Sequence, residues 1–138
     1  MTRWIIPCNA NYYDIVHAFE NLSCIDWKQS RKIEVGDIVY IYVGRPIKAV
    51  MFKCRVNKVN LPAIEIDDSA FVIKGDAYEN YGNYMELELL GKFNQSELSL
   101  ERLSEHGLQG NVQGPRRMND DLMKLFSEVE KETVANHE

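Results

Sequence analysis

No stretch of this 138-residue chain approaches the roughly 20 consecutive apolar residues of a membrane helix. The Met1 end has no basic flank leading into an apolar segment and a cleavage site, so a soluble, cytoplasmic protein is expected. Cysteine is scarce: Cys8, Cys24 and Cys54 are odd in number and widely spaced among apolar residues, which excludes a disulfide framework and a zinc-ligand pattern. The three histidines, His17, His106 and His137, form no Ser-His-Asp or Cys-His spacing, and there is no phosphate-loop glycine motif and no metal-ligand cluster. Neither a metal nor a cofactor is expected. Repeats and low-complexity segments are absent too, and 45% hydrophobic residues are enough for one domain spanning 1–138 with one core.

Charge is present but unevenly placed. The net charge of −5 argues against a nucleic-acid partner, because phosphate contacts dominate such affinities. Between Lys28 and Lys58, however, eight bases (Lys28, Arg31, Lys32, Arg45, Lys48, Lys53, Arg55, Lys58) face only Glu34 and Asp37. That segment carries +6, which leaves −11 for the remainder of a chain at −5. The asymmetry fits either a nucleic-acid-binding face or an ordinary solvated strand surface.

Hydrophobic patterning outlines the elements. Trp4, Ile5 and Ile6 predict a strand over Arg3–Pro7, with Pro7 ending the pairing. Asn11 is placed to cap a helix over Tyr13–Leu22, with Asp14 in its first turn and Ile15, Ala18, Phe19 and Leu22 as its apolar stripe. Gly36-Asp37 marks a turn into a strand over Ile38–Val43, whose unbroken apolar run predicts burial on both faces. Gly44-Arg45-Pro46 breaks that strand. A long one follows from Ala49 to Val59, in which Phe52, Cys54 and Val56 alternate with Lys53, Arg55 and Asn57, giving one basic face.

The stretch from Asn60 to Tyr84 reads as an acidic loop (Glu65, Asp67, Asp68) with local structure around Phe71-Val72-Ile73 and around Tyr78, Tyr81 and Tyr84, which recur every three residues. Alternation predicts a strand over Met85–Leu90 that extends toward Phe93. Leu98–His106 reads as a helix closed by Gly107, and Asn119 caps a last helix that buries Leu122, Leu125, Phe126 and Val129 and frays from about Thr133. The order of elements predicts an α+β fold, a mostly antiparallel β-barrel flanked by short helices.

Two separated signatures carry the chemistry. Trp27-Lys28-Gln29-Ser30, leading into the Gly36–Gly44 strand with Tyr42, joins a large aromatic, a hydroxyl and a phenol. Gln113-Gly114-Pro115-Arg116-Arg117 sets an amide and two fixed charges on a Gly-Pro turn. Together these can stack a planar ring, hydrogen-bond its edge and hold a phosphate backbone.

Asp26 to Ser30, Gly36 to Gly44, Pro46, and Gly107-Leu108-Gln109-Gly110 running into Gln113 to Arg117 resemble the EVE domain family of the PUA-like superfamily, over most of the chain from Trp4 to about Phe126. The resemblance implies a PUA-like β-barrel with flanking helices and a concave pocket. Relatives in the superfamily include YTH domains, which hold a methylated adenine in an aromatic cage, and EVE domains of bacterial restriction systems, associated with sensing modified cytosines in DNA. It implies that Trp27, Ser30, Tyr42 and Gln113 form a base-binding pocket, and that Arg116, Arg117, Lys28 and Arg31 contact phosphate. The implied partners are DNA or RNA carrying a modified base and a partner nuclease, with no membrane and no metal.

Each residue has a structural alternative. Trp27 and Tyr42 also fit a core, Ser30 a turn cap, and Gln113 a loop bond, while Arg116 and Arg117 can pair with Asp120 and Asp121. A second functional class is open as well. ASCH-type relatives include small amidohydrolases acting on modified nucleosides, for which Lys28, Ser30 and Glu86 or Glu88 are the candidate set, with a poor match to the enzyme pattern.

Overall fold

A computed structural model describes residues 2–9, 13–29, 32–62 and 83–137. The elements run β1 (Arg3–Cys8), α1 (Ile15–Asn21), β2 (Cys24–Lys28), β3 (Ile38–Val43), β4 (Ala49–Pro62), β5 (Asn83–Lys92), α2 (Leu100–Glu105), β6 (Arg116–Arg117) and α3 (Asp120–His137). The six strands form one sheet in the order β2-β5-β4-β3-β1-β6. All neighbours are antiparallel except β1 and β3, which pair in parallel from Arg3↔Ile38 to Cys8↔Val43. The α+β fold with a mostly antiparallel sheet expected from the sequence is present, and the sheet is not closed, with β2 and β6 at its two edges. The pairing shifts register once between β3 and β4 and three times between β4 and β5, and such irregularities bend and twist the strands that carry them.

β3 is buried at all six positions because both its faces are covered. Val39, Ile41 and Val43 share one core with Trp4 and Ile6 of β1, Phe52 and Val56 of β4, Leu87 of β5 and Trp27 of β2, closed over by Ile15, Ala18 and Phe19 of α1. Ile38, Tyr40 and Tyr42 point the other way and pack with Leu103 of α2 and with Leu122, Leu125, Phe126 and Val129 of α3. Period-two alternation thus feeds two cores from one strand.

Several boundaries differ from the sequence reading. Pro7 does not end β1 but sits in register with Tyr42; β1 pairs in parallel there, and the strand continues to Cys8. α1 begins at Ile15 with Asp14 as its cap, accepting from the His17 amide at 3.3 Å, instead of beginning at Tyr13. Leu22 is extended and 46% exposed, because the helix has already ended at Asn21. β6 has too few residues to show a period, whereas β2 alternates over Cys24–Lys28 without having been read as a strand. α3 is described to His137, past Thr133, and Asn119 caps it by accepting from the Leu122 amide at 2.8 Å. Asn11 and the segment holding Glu65, Asp67, Asp68, Phe71, Val72, Ile73, Tyr78 and Tyr81 lie outside the described residues, whereas Tyr84 is fully buried in β5. Gly107 ends α2 at φ +96°, a conformation open to glycine, and a Cβ there would lie 3.0 Å from the Asn119 amide.

The residue that ties the sheet together is Asp37, the single charged side chain among the buried described residues, at 3% exposure. Its carboxylate accepts from the Thr2 amide at 2.9 Å, the Trp4 indole N–H at 3.0 Å and the Glu34 amide at 3.0 Å. Its own carbonyl accepts from Val56 at 2.9 Å. One acid therefore joins the start of β1, the turn into β3 and strand β4. Burial alone pushes such a carboxyl up, but the Thr2, Glu34 and Trp4 donors outweigh it and hold Asp37 below the ordinary carboxylate range.

A folded value below the unfolded one, near 3.9, means that Asp37 stabilises the fold above that pH and that this contribution is lost as pH falls through the folded value. Asp37→Asn leaves one oxygen to serve three donors and turns an N–H₂ toward them, so we expect a loss of about 3 kcal/mol at neutral pH. Urea titration of both proteins should show that deficit narrowing in acid; an unchanged midpoint at neutral pH would remove Asp37 from this role.

Candidate functional site

Two adjoining cavities open where the edges of the sheet approach each other. The first, about 450 Å³, is lined by Ile6 and Pro7 of β1, Trp27 and Lys28 of β2, Gln29 and Ile33 beyond it, and Gln113, Gly114 and Pro115 ahead of β6. The second, about 520 Å³, is lined by Pro7, Cys8, Asn9, Tyr42, Gly44, Arg45, Val112 and Gln113. Both volumes lie within the roughly 300–1,000 Å³ typical of ligand pockets. Pro7 and Gln113 belong to both, so the two cavities form one cleft with a shared wall. The end of β2 and the segment before β6, the two extremes of the strand order, face each other across it. The sheet curls toward closure here without completing it.

Trp27 occupies this place because Ile25 and Trp27 point into the core while Cys24, Asp26 and Lys28 do not. Its indole is 8% exposed and meets Tyr13 edge-on, with centroids 5.1 Å apart and planes at 84°. It is thus both a core residue and a wall of the first cavity. Gln29, beside it, has both ends of its amide engaged by Asn60: Nε2 donates to Oδ1 at 3.1 Å and Oε1 accepts from the Asn60 amide at 2.6 Å. Gln113 is exposed.

Tyr42 lines the second cavity, not the one beside Trp27. Burial pushes its phenol up and the nearby Arg45 charge partly offsets this, so it remains a neutral hydroxyl at ordinary pH. Cys8 also lines that cavity, but burial, reinforced by Asp14, pushes its thiol up to about 12. A thiol so placed is a poor nucleophile.

The basic segment divides sharply. On β4, Lys53 pairs with Glu130 of α3 at 3.0 Å, Arg55 with Glu88, and Lys58 with Glu86 at 3.8 Å. The acids opposite this face come from β5 and α3, far away in sequence. No carboxylate is among the described residues lining either cavity, where Lys28 belongs to the first and Arg45 to the second.

Of the residues expected to form the site, the structure gathers Trp27, Lys28, Tyr42 and Gln113 around this cleft. Ser30 and Arg31 lie outside the described residues. Arg116 and Arg117 form edge strand β6, and neither is among the residues lining these two cavities. Arg116 donates to the Gln109 carbonyl at 2.7 Å, and the Arg117 guanidinium lies 5.4 Å from the centre of the Trp4 ring. Asp121 meets His106 at 3.4 Å instead of either arginine. Glu86 and Glu88 are taken up by Lys58 and Arg55 and line neither cavity, so they do not converge with Lys28. Arg45, Asn9 and Pro7 line the cleft without having been singled out for it. For Arg45 the signal was a cation on the Gly44-Arg45-Pro46 turn between two strands, read there only as a break.

No family model matches the sequence, and no curated protein matches it. Solved structures do. The ASCH protein from Zymomonas mobilis superposes with a TM-score of 0.63 over 92% of this chain and 94% of its own, at 10% identity. A protein from Agrobacterium tumefaciens matches with a TM-score of 0.54 at 10% identity, covering 94% of this chain and 93% of its own. An NMR structure of a protein from Rhodopseudomonas palustris matches with a TM-score of 0.53 at 9% identity, covering 94% and 92%. The likeness is one of fold, an ASCH-like α+β architecture.

The cysteines offer a direct check on the cleft wall. Cys8 and Cys54 are 2% and 0% exposed, whereas Cys24 on edge strand β2 is partly exposed, although partial burial and Glu86 also push its thiol up. With a thiol-specific chromophore at about pH 8, the native protein should release one equivalent slowly, from Cys24, and all three cysteines should react only in denaturant. Prompt reaction of all three in the native state would contradict the buried wall.

Proposed function

We propose that this chain binds nucleic acid and holds one nucleobase, extruded from its strand, in the cavity beside Trp27. The carrying observation is the cleft itself: apolar walls from Trp27, Ile33 and Pro115, an exposed amide at Gln113, the cations Lys28 and Arg45, and no carboxylate among its described lining residues. A flipped base needs a planar apolar wall to replace lost stacking, a donor and acceptor for its edge, and positive charge for its phosphates. Because the indole is largely buried, the stacking gain belongs at the low end of the roughly 1–3 kcal/mol per base seen for exposed platforms.

The EVE resemblance makes the ligand a modified base, such as 5-methylcytosine in DNA, with a nuclease as a separate partner. RNA is the closest alternative strand. A second reading takes up the ASCH-type alternative of the sequence: a free modified nucleoside in the same cavity, hydrolysed at an amide, with water adding to the carbonyl and the amine leaving.

The experiment is fluorescence polarisation with short single-stranded DNA and RNA bearing cytosine, 5-methylcytosine, 5-hydroxymethylcytosine or N6-methyladenine. We expect one modified base to bind best. Gln113→Ala, which alters an exposed side chain, should weaken that complex by about tenfold while preserving the fold. Trp27→Leu should weaken it too, with circular dichroism checking that the core survives. Equal affinity for every base, indifferent to Gln113, would sink the reading. Hydrolysis of a modified nucleoside in the same tubes would transfer the cavity to the enzymatic one.

A further inference from the structure

We infer that the second cavity, walled by Tyr42 and Arg45, is a phosphate subsite that takes the backbone phosphate next to the base held at Trp27. This inference rests on the base-binding reading of the first cavity.

The two cavities meet at Pro7 and Gln113, so a nucleotide whose base fills one must pass its sugar and phosphate over that shared wall toward the other. What waits there suits an anion. Arg45 is exposed and makes no ion pair among the described residues, although eight bases crowd its segment and Lys53, Arg55 and Lys58 have each found a carboxylate. Its guanidinium presents a planar fork of donors, the geometry that matches a phosphate. The Tyr42 hydroxyl adds a neutral donor.

Arg45 is also held in place. It sits in a turn closed by the Ile47 amide to the Gly44 carbonyl at 3.1 Å, and the Gly44 amide donates to the Cys8 carbonyl at 3.0 Å, pinning the turn to the end of β1. Pro46 follows immediately, which narrows the backbone freedom of Arg45. By comparison, Arg116 already donates to Gln109 and Arg117 lies over Trp4, and neither reaches the cleft lining. The phosphate contact therefore belongs to Arg45, with Lys28 serving the base side.

The test uses the full chain and 5-methylcytosine DNA oligonucleotides in which the linkage on the 5′ or the 3′ side of the modified base is either phosphodiester or uncharged methylphosphonate. For the wild type, neutralising one of the two linkages should cost about tenfold in affinity. In Arg45→Ala the same neutralisation should cost nothing further, and the slope of log affinity against log salt should be shallower by about 0.7. Arg45→Lys should restore the slope but only part of the affinity, since it keeps the charge and loses the fork. An Arg45→Ala protein that keeps both the wild-type affinity and the linkage effect overturns the subsite while leaving base recognition standing. If Gln113→Ala and the base identity change nothing yet Arg45→Ala still flattens the salt slope, the base reading fails and the subsite survives it.

Discussion

A buried carboxylate with three N–H donors holds this fold at its seam. β1 and β3 pair in parallel, so the turn that starts β3 lies beside the start of β1 and not at the end of a hairpin. Nothing in a short connection forces those two chain segments together. Asp37 does so by accepting from Thr2 and Trp4 on one side and Glu34 on the other. A single buried charge is tolerable only when its lone pairs are filled, and here the filling groups are the ones that need joining. Trp4, held by its indole N–H, in turn forms part of the core behind the cleft and carries Arg117 over its ring.

Electrostatics divide the molecule in a way net charge does not reveal. The long β4 strand displays lysine and arginine on one face, but β5 and α3 bring Glu86, Glu88 and Glu130 against them. Partly exposed pairs of this kind add little stability. Their consequence is negative: they remove that face from consideration as a phosphate surface. Where two sheet edges converge, the described cavity lining holds Lys28 and Arg45 and no acid. Tyr40 belongs to the first kind of feature. Its hydroxyl donates to Glu130 and receives a bond from Arg3, linking β1, β3 and α3 on the helix-covered side.

The cleft exists because the sheet curls without closing. In a finished barrel, β2 and β6 would satisfy each other's backbone, and their side chains would alternate in and out. Here the strands stop short. Trp27 to Gln29 and Gln113 to Pro115 face each other across a gap wide enough for a ligand. A site built from the ends of the strand order is supported on one side by β1 and on the other by α1 packing, which suits it to hold a planar group in a fixed orientation.

Most of the regular elements were legible in the chain. The β3 run was read as doubly buried, β4 as one apolar and one basic face, and the Asn119 cap and the Gly107 stop marked the last two helices, all from local period and capping chemistry. Trp27, Lys28, Tyr42 and Gln113, four of the residues singled out in the sequence, line one or other of the two cavities. What local pattern cannot carry is partnership. β6 is too short to show a period, the mixed pairing of β1 depends on β3 some thirty residues on, and the silencing of the β4 cations depends on acids that arrive with β5 and α3. Likewise, Arg116 and Arg117 became an edge strand while Arg45, read only as one of eight bases and part of a strand break, entered the cleft. A sequence records which groups a segment offers; only the closed tertiary arrangement decides which of them are answered from within the fold and which are left facing a cavity.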